Sequence, residues 1–227
     1  MLRAVVFDFD GIIADDERLH LEGFRHALAA HGISVSETDY FAKYLGYDDH
    51  DGFAAILSDA GVEPGDELIT ELTARKHAVF TDLVRARIRI YPGVESLLTS
   101  LRATPEPAAT AIGSGALRPE IELVLGIAGL GSRFDAIVSA EDVDHGKPHP
   151  ETFLKACAAL GRIRPGLRPE DCLVIEDSPA GLAAAEAAGM KRVAVTNSYP
   201  AGALEADLVV ASLEEIDRIR CARLWND

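Results

Sequence analysis

Six short apolar runs punctuate this chain, at residues 2–9, 108–112, 134–138, 172–175, 192–195 and 208–210. Runs that are continuously apolar mark strands covered on both faces, the condition of a parallel sheet between two helical layers. The intervals carry helical spacing. Val94, Leu97, Leu98 and Leu101 make one stripe, and residues 117–125, 150–160 and 180–188 read as further helices. Strands alternating with helices of this length require right-handed crossovers, and so an α/β fold built on a doubly wound parallel sheet.

Residues 16–89 break that rhythm. Leu21, Phe24 and Leu28 form a helical stripe that Gly32 stops, and residues 53–57 and 67–85 continue the helical pattern, with Leu68, Leu72, Val79 and Leu83 as the face of the last. No strand candidate occurs between residues 16 and 86. Since the first run belongs with the later ones, the helical block is an insertion: residues 1–15 and 90–227 form the core, and 16–89 a second, helical domain. A chain of 227 residues has room for both.

Charge narrows the function classes. The balance of 22 basic and 37 acidic residues gives −15, a field that repels nucleic-acid backbones and anionic lipid surfaces. A small anionic substrate remains compatible if something inverts the potential locally. Three widely spaced cysteines offer neither a disulfide framework nor a zinc knuckle, and acids interrupt the first apolar run before it can act as a signal peptide. No stretch approaches the roughly 20 apolar residues of a spanning helix. The expectation is a cytoplasmic protein without membrane or nucleic-acid partners, a monomer or homodimer.

Ligands of such sheets bind beyond the carboxyl ends of the strands. There the sequence places Asp8-Phe9-Asp10-Gly11, then Gly113-Ser114-Gly115, then Gly146-Lys147-Pro148, then Glu176-Asp177-Ser178. Asp8 and Asp10, two apart on an extended chain, point to one side. Paired carboxylates repel, and either a cation or a raised pKa relieves them. One ionised Asp can attack phosphorus while a protonated one supplies the leaving oxygen's proton. Asp8, Asp10, Glu176 and Asp177 together call for a hard divalent ion, with Mg2+ the natural choice. Ser114 and Gly115, at a strand-to-helix turn, can hold phosphoryl oxygens on backbone N–H groups, and Lys147 adds a fixed positive charge.

These four segments, in this order, resemble the motifs of the haloacid dehalogenase-like hydrolases, most closely the phosphatase and β-phosphoglucomutase-like branch with a helical cap after the first motif. The resemblance covers essentially the whole chain. It implies a Rossmann-like core, an α-helical cap domain over residues 16–89, Mg2+, and a phospho-aspartyl intermediate formed on a small phosphorylated metabolite of phosphoglycolate or sugar-phosphate type. By position, Asp8 is the nucleophile and a metal ligand. Asp10 is the acid/base and binds metal through its carbonyl. Ser114 and Lys147 hold the phosphoryl group, Lys147 also steadies Asp8, and Asp177 completes the metal site with Glu176 in or near it. His20 matches a histidine that many relatives carry near the cap entrance. Specificity falls to the cap loop 45–51, with Gly46, Tyr47, Asp49 and His50, and more weakly to Lys43, Lys76 and His77.

The same resemblance admits a sugar-phosphate mutase. Relatives of that kind use a cap arginine for a second phosphate, where this loop has acid: Asp48, Asp49 and Asp51. Phosphatase therefore ranks first. A dehalogenase lacks the second aspartate of the first motif, and a signalling receiver lacks the cap. His145 and His149 are four apart, but Pro148 and Pro150 forbid the helix on which such a pair usually binds zinc.

Overall fold

The opening apolar run forms β1 (Ala4–Phe7), buried along its whole length. After it come β2 (Ala14–Asp15), α1 (Glu17–Ala29), α2 (Glu37–Asp39), a π-helical turn (Tyr40–Tyr44), α3 (Asp49–Asp59), α4 (Asp66–Arg87) and β3 (Arg89–Ile90). The strand–helix alternation then runs α5 (Val94–Arg102), β4 (Ala109–Gly113), α6 (Arg118–Ala128), β5 (Ala136–Val138) and α7 (Glu151–Gly161). It closes with β6 (Cys172–Glu176), α8 (Pro179–Ala187), β7 (Lys191–Val195), β8 (Leu208–Val210) and α9 (Arg218–Arg223). The structure is a computed structural model that describes residues 1–225. By compactness the chain divides at Asp15/Asp16 and Ile88/Arg89 into a discontinuous α/β unit and a helical unit, Asp16–Ile88.

The α/β unit holds a six-stranded sheet in the order β5-β4-β1-β6-β7-β8, with every neighbouring pair parallel. This is the Rossmann-like α/β fold that the alternation predicts. Strand order reverses at β1, where the chain first builds outward through β4 and β5 and later through β6, β7 and β8. The crevice at that reversal lies at the end of β1, where Asp8 follows. Register sharpens the point. Phe7 is level with Ile112 on one side and Ile175 on the other, so Asp8, Gly113 and Glu176 come next at one level.

One face of the sheet packs Val6, Ala111 and Val174 against Phe153, Ala156 and Leu160 of α7 and Ala184 and Ala185 of α8. Burying a side chain such as Phe153 contributes about 1.5–3 kcal/mol relative to exposure. Small residues on α8 let it approach the strand ends closely. Two features left no signal in the sequence: the antiparallel pair β2–β3, two residues per strand, and the six-residue α9.

In the helical unit, α1 buries Leu21, Phe24 and Leu28, as their spacing predicts. The face of α4 differs from the expected one. Ile69, Leu72, Lys76, Phe80 and Val84 are buried, whereas Leu68, Val79 and Leu83 are only partly so. The apolar pattern misleads because a lysine occupies the middle of the true stripe. Among the described residues no helix is long and apolar enough to cross a membrane.

Candidate active site

Asp8 is the first residue past β1, and its N–H donates to Ile175 O at 2.9 Å, which fixes its backbone to β6. The chain then doubles back tightly. The N–H groups of Ile13 and Ala14 donate to Phe9 O at 2.8 and 3.0 Å, and Gly11 takes φ +77°. Only glycine suits this position: a Cβ there would enter the space of the Asp177 carboxylate. Asp10 is half-buried within this turn.

Lys147 reaches the same place from the loop before α7. Its ammonium donates to Asp8 Oδ1 at 2.7 Å and to Glu176 Oε1 at 2.8 Å, and lies 4.9 Å from the centre of the Phe153 ring. The Lys147–Pro148 peptide bond is cis. The other oxygen of Glu176 accepts from the N–H groups of Asp177 and Ser178, both at 2.7 Å, and from the Ser178 hydroxyl at 2.9 Å. Ser178 also caps α8, accepting from Gly181 N–H at 3.1 Å. Glu176 therefore ties the lysine to the first turn of α8 with both oxygens engaged.

The electrostatics follow from burial. Asp8, Glu176 and Asp177 are all buried. Burial, then the negative charges of Glu176 and Asp10, push the Asp8 carboxyl well above its ordinary value, against the pull of Lys147. Burial opposes the charge on Lys147 too, but the two carboxylates beside it hold the ammonium above its ordinary value. Lys147 thus lies between Asp8 and Glu176, with Asp177 and Asp10 nearby, so carboxyl groups outnumber cations in the cluster among the described residues, and the raised Asp8 carboxyl reflects that crowding.

That excess is what a divalent ion would neutralise. Asp8, Glu176 and Asp177 each bring an oxygen within 4.8 Å of the others, and the donor set is purely hard oxygen. The residues present fit an Mg2+-type ion. With four hydrogen bonds already on Glu176, Asp8 and Asp177 are the carboxylates better placed to bind it directly.

Ser114 is buried at the end of β4. Its N–H donates to Val138 O at 3.0 Å and its Oγ accepts from Ala116 N–H at 2.9 Å, while Gly115 beside it is exposed with open space around its Cα. The α/β unit thus assembles Asp8, Lys147, Glu176 and Asp177 directly, with Asp10 close enough to act on Asp8 and Ser114-Gly115 at the neighbouring strand end.

Two residues escaped the sequence reading. Ser198 donates to the Asp177 carboxylate, and Asn197 Nδ2 donates to Gly11 O at 2.6 Å. Both follow β7, so extending the strand-end rule to a fifth strand would have found them.

In the helical unit, His20 and Lys76 meet: Lys76 Nζ donates to His20 Nδ1 at 2.9 Å and also pairs with Asp49. The ammonium lies 4.5 Å from the Phe24 ring centre and 5.5 Å from that of Phe80, on which His20 stacks at 4.1 Å. Burial, helped by Lys76, pushes the imidazole well below its ordinary value. The remaining loop residues do not join this group. Gly46 adopts φ +83°, Tyr47 is exposed, and His50 is exposed beside Asp51 on the first turn of α3. Lys43 lies on the π-helical turn, paired with Asp39 and Asp59, and His77 is exposed on α4.

Residues 5–195 match the family model described as haloacid dehalogenase-like hydrolase. The validoxylamine A 7'-phosphate phosphatase of Streptomyces hygroscopicus subsp. limoneus is 30% identical over 217 residues, 95% of this chain and 96% of the relative. The fructose-1-phosphate phosphatase YqaB of Escherichia coli is 33% identical over 192 residues, 84% of this chain and 95% of the relative. Among solved structures, a β-phosphoglucomutase from Clostridium difficile superposes with a TM-score of 0.86 at 26% identity, covering 100% of this chain and 98% of its own. On the strength of that match and of relatives at these identities, the chain belongs to the haloacid dehalogenase-like hydrolase family, as a phosphoric monoester hydrolase.

Proposed function

We propose that the chain is an Mg2+-dependent phosphatase of small phosphomonoester metabolites, of sugar-phosphate or phosphoglycolate type, acting through a phospho-aspartyl intermediate on Asp8. The observation that carries this reading is the Lys147 ammonium bridging Asp8 and Glu176 beside Asp177, at the strand ends where the sheet order reverses. Asp8 attacks phosphorus as a carboxylate, an ionised state that Lys147 favours. Asp10 gives its proton to the departing alkoxide. Water then attacks the phosphoryl group on Asp8, with Asp10 taking the proton, so that phosphate leaves and both aspartates return to their starting state. Ser114 and the Gly115 N–H hold the phosphoryl oxygens, as does Lys147. Asp8 and Asp177, with the Asp10 carbonyl, would hold Mg2+, and Glu176 orients Lys147 beside them. When bound, the ion supplies charge neutralisation for the transferring group.

Substrate choice is assigned to the helical unit as a cap, with Gly46, Tyr47, Asp49 and His50 on its loop and His20 in support. The name of the fructose-1-phosphate phosphatase relative supports a sugar phosphate as the class. Phosphate release from a panel including fructose 1-phosphate, β-glucose 1-phosphate and phosphoglycolate, with Mg2+ and after chelation, is the test. Release no greater than that of Asp8→Asn on every ester overturns the proposal.

Likeness to a β-phosphoglucomutase favours a second reading, transfer of the phosphoryl group between sugar hydroxyls. Against it, Asp49 is bound to Lys76, and the loop offers acid to a second phosphate. Conversion of β-glucose 1-phosphate to the 6-phosphate without net phosphate release would reverse the order.

A further inference from the structure

The loop that delivers Lys147 also gathers His145, His149 and Glu151 on the outside of the α/β unit. No helix joins the two histidines, in keeping with the prolines. A turn does so instead: His149 N–H donates to Gly146 O at 3.0 Å, and the two rings stand 4.8 Å apart, centre to centre. Glu151, the first residue of α7, faces both. Its Oε2 is 3.2 Å from His145 Nδ1 and 3.9 Å from His149 Nδ1. One ligand atom from each of the three lies within 4.8 Å of the other two.

Glu151 is held in this pose by other contacts. Oε1 accepts from Asp144 N–H at 3.1 Å and pairs with Lys155 at 2.6 Å, and Oε2 accepts from His145 N–H at 3.1 Å. Lys155 is turned further by donating to Asp142 O at 2.6 Å. The lysine sits on the far oxygen and leaves Oε2 to the imidazoles. Burial contributes too: the Glu151 side chain is only 15% accessible, while those of His145 and His149 are 68% and 53%. The set is therefore anchored at its carboxylate and open at its imidazoles.

We propose that His145, His149 and Glu151 form a binding site for a borderline divalent transition ion, of which Zn2+ is the type, separate from the hard-ion cluster around Asp8. Ligand atoms about 3.3 Å apart are what a tetrahedral ion with bonds of about 2.0–2.1 Å demands; His145 already stands at 3.2 Å from the Glu151 oxygen, and His149, at 3.9 Å, closes the set by a small turn of its exposed ring. Two imidazoles and one carboxylate select zinc, copper or nickel over Mg2+, which prefers oxygen alone. The fourth position faces solvent. Occupancy would cross-link both sides of the turn that carries Lys147, tying residues 145 and 149 to the start of α7.

Calorimetric titration of Zn2+ into the full chain, with Mg2+ saturating the hard-ion cluster, tests this. We expect one equivalent bound, weakened in His145→Ala and in His149→Ala by at least the roughly 10–100-fold that loss of a mere supporting partner costs. Asp8→Asn should bind Zn2+ as the unaltered chain does. Co2+ offered to the unaltered chain under the same conditions should give the intense visible bands of a tetrahedral site, a readout that needs no variant. Absence of uptake, equal uptake by both histidine variants, loss of uptake in Asp8→Asn, or only the weak bands of octahedral Co2+ would each overturn the proposal.

Discussion

The Lys147 ammonium stands 2.7 Å from the Asp8 carboxylate although 139 residues separate them in sequence. Both side chains are largely enclosed, at 13% and 11% accessible, and Glu176 shares the same ammonium, so removing the lysine leaves two carboxylates without their cation. Lys147→Met should lose phosphatase activity. It should also cost about 3–5 kcal/mol of stability in chelator, the usual penalty for breaking a buried pair. Mg2+ should recover part of that loss. Thermal unfolding of both proteins in chelator and in Mg2+ reads this out, and equal midpoints in chelator would contradict the bridge.

Gly181 offers a prediction whose sign opposes helix propensity. Within a helix, Gly→Ala ordinarily stabilises by up to about 1 kcal/mol. Here the added methyl would run into the Glu176 carboxylate, which is pinned by Lys147 and the start of α8. Gly181→Ala should therefore destabilise and slow phosphate release by displacing the partner of Lys147. A rise in unfolding midpoint with full activity would contradict the packing.

Ser198 reaches the acidic cluster through the Asp177 carboxylate. Ser198→Ala should raise the Mg2+ concentration needed for half-maximal phosphatase activity by roughly 10–100-fold, as loss of a supporting hydrogen bond does. The rate at saturating Mg2+ should change far less. Titration of activity with Mg2+ separates the two, and an unchanged half-point would exclude the role.

His20 gives a pH signature. Its folded pKa lies well below the ordinary 6.5. As pH falls past about 6.5 the unfolded chain takes up a proton that the folded chain refuses. The stability from the neutral, buried imidazole is thus present above about pH 6.5 and lost as pH falls toward the folded value. His20→Gln keeps an acceptor for Lys76 without titrating. Between about pH 7.5 and 5.5 its midpoint should fall less steeply than that of the unaltered chain. Parallel slopes would show that His20 titrates normally.

The strand-end rule explains why so much of the candidate site was legible. Asp8 interrupts the end of the first apolar run, Ser114 and Glu176 follow theirs by one or two residues, and a parallel sheet brings such residues to one edge. Asn197 and Ser198 obey the same rule. What hid the face of α4 was Lys76: periodicity reads apolar residues, and a lysine stabilised by His20, Asp49 and two aromatic rings is invisible to it. Likewise the proline argument at His145 and His149 correctly excluded a helix, yet a turn brings the rings together.

By itself the sequence determined the six strands of the parallel sheet, most helices and the residue types at each strand end. These are local properties, written in the period of the apolar residues and in what interrupts them. Tertiary structure alone decided which carboxylate Lys147 grips, that Glu176 spends both oxygens on organising it, and that Gly11 must lack a side chain beside Asp177. Those outcomes depend on strand register and on the close approach of segments far apart in the chain, which no run of neighbouring residues encodes.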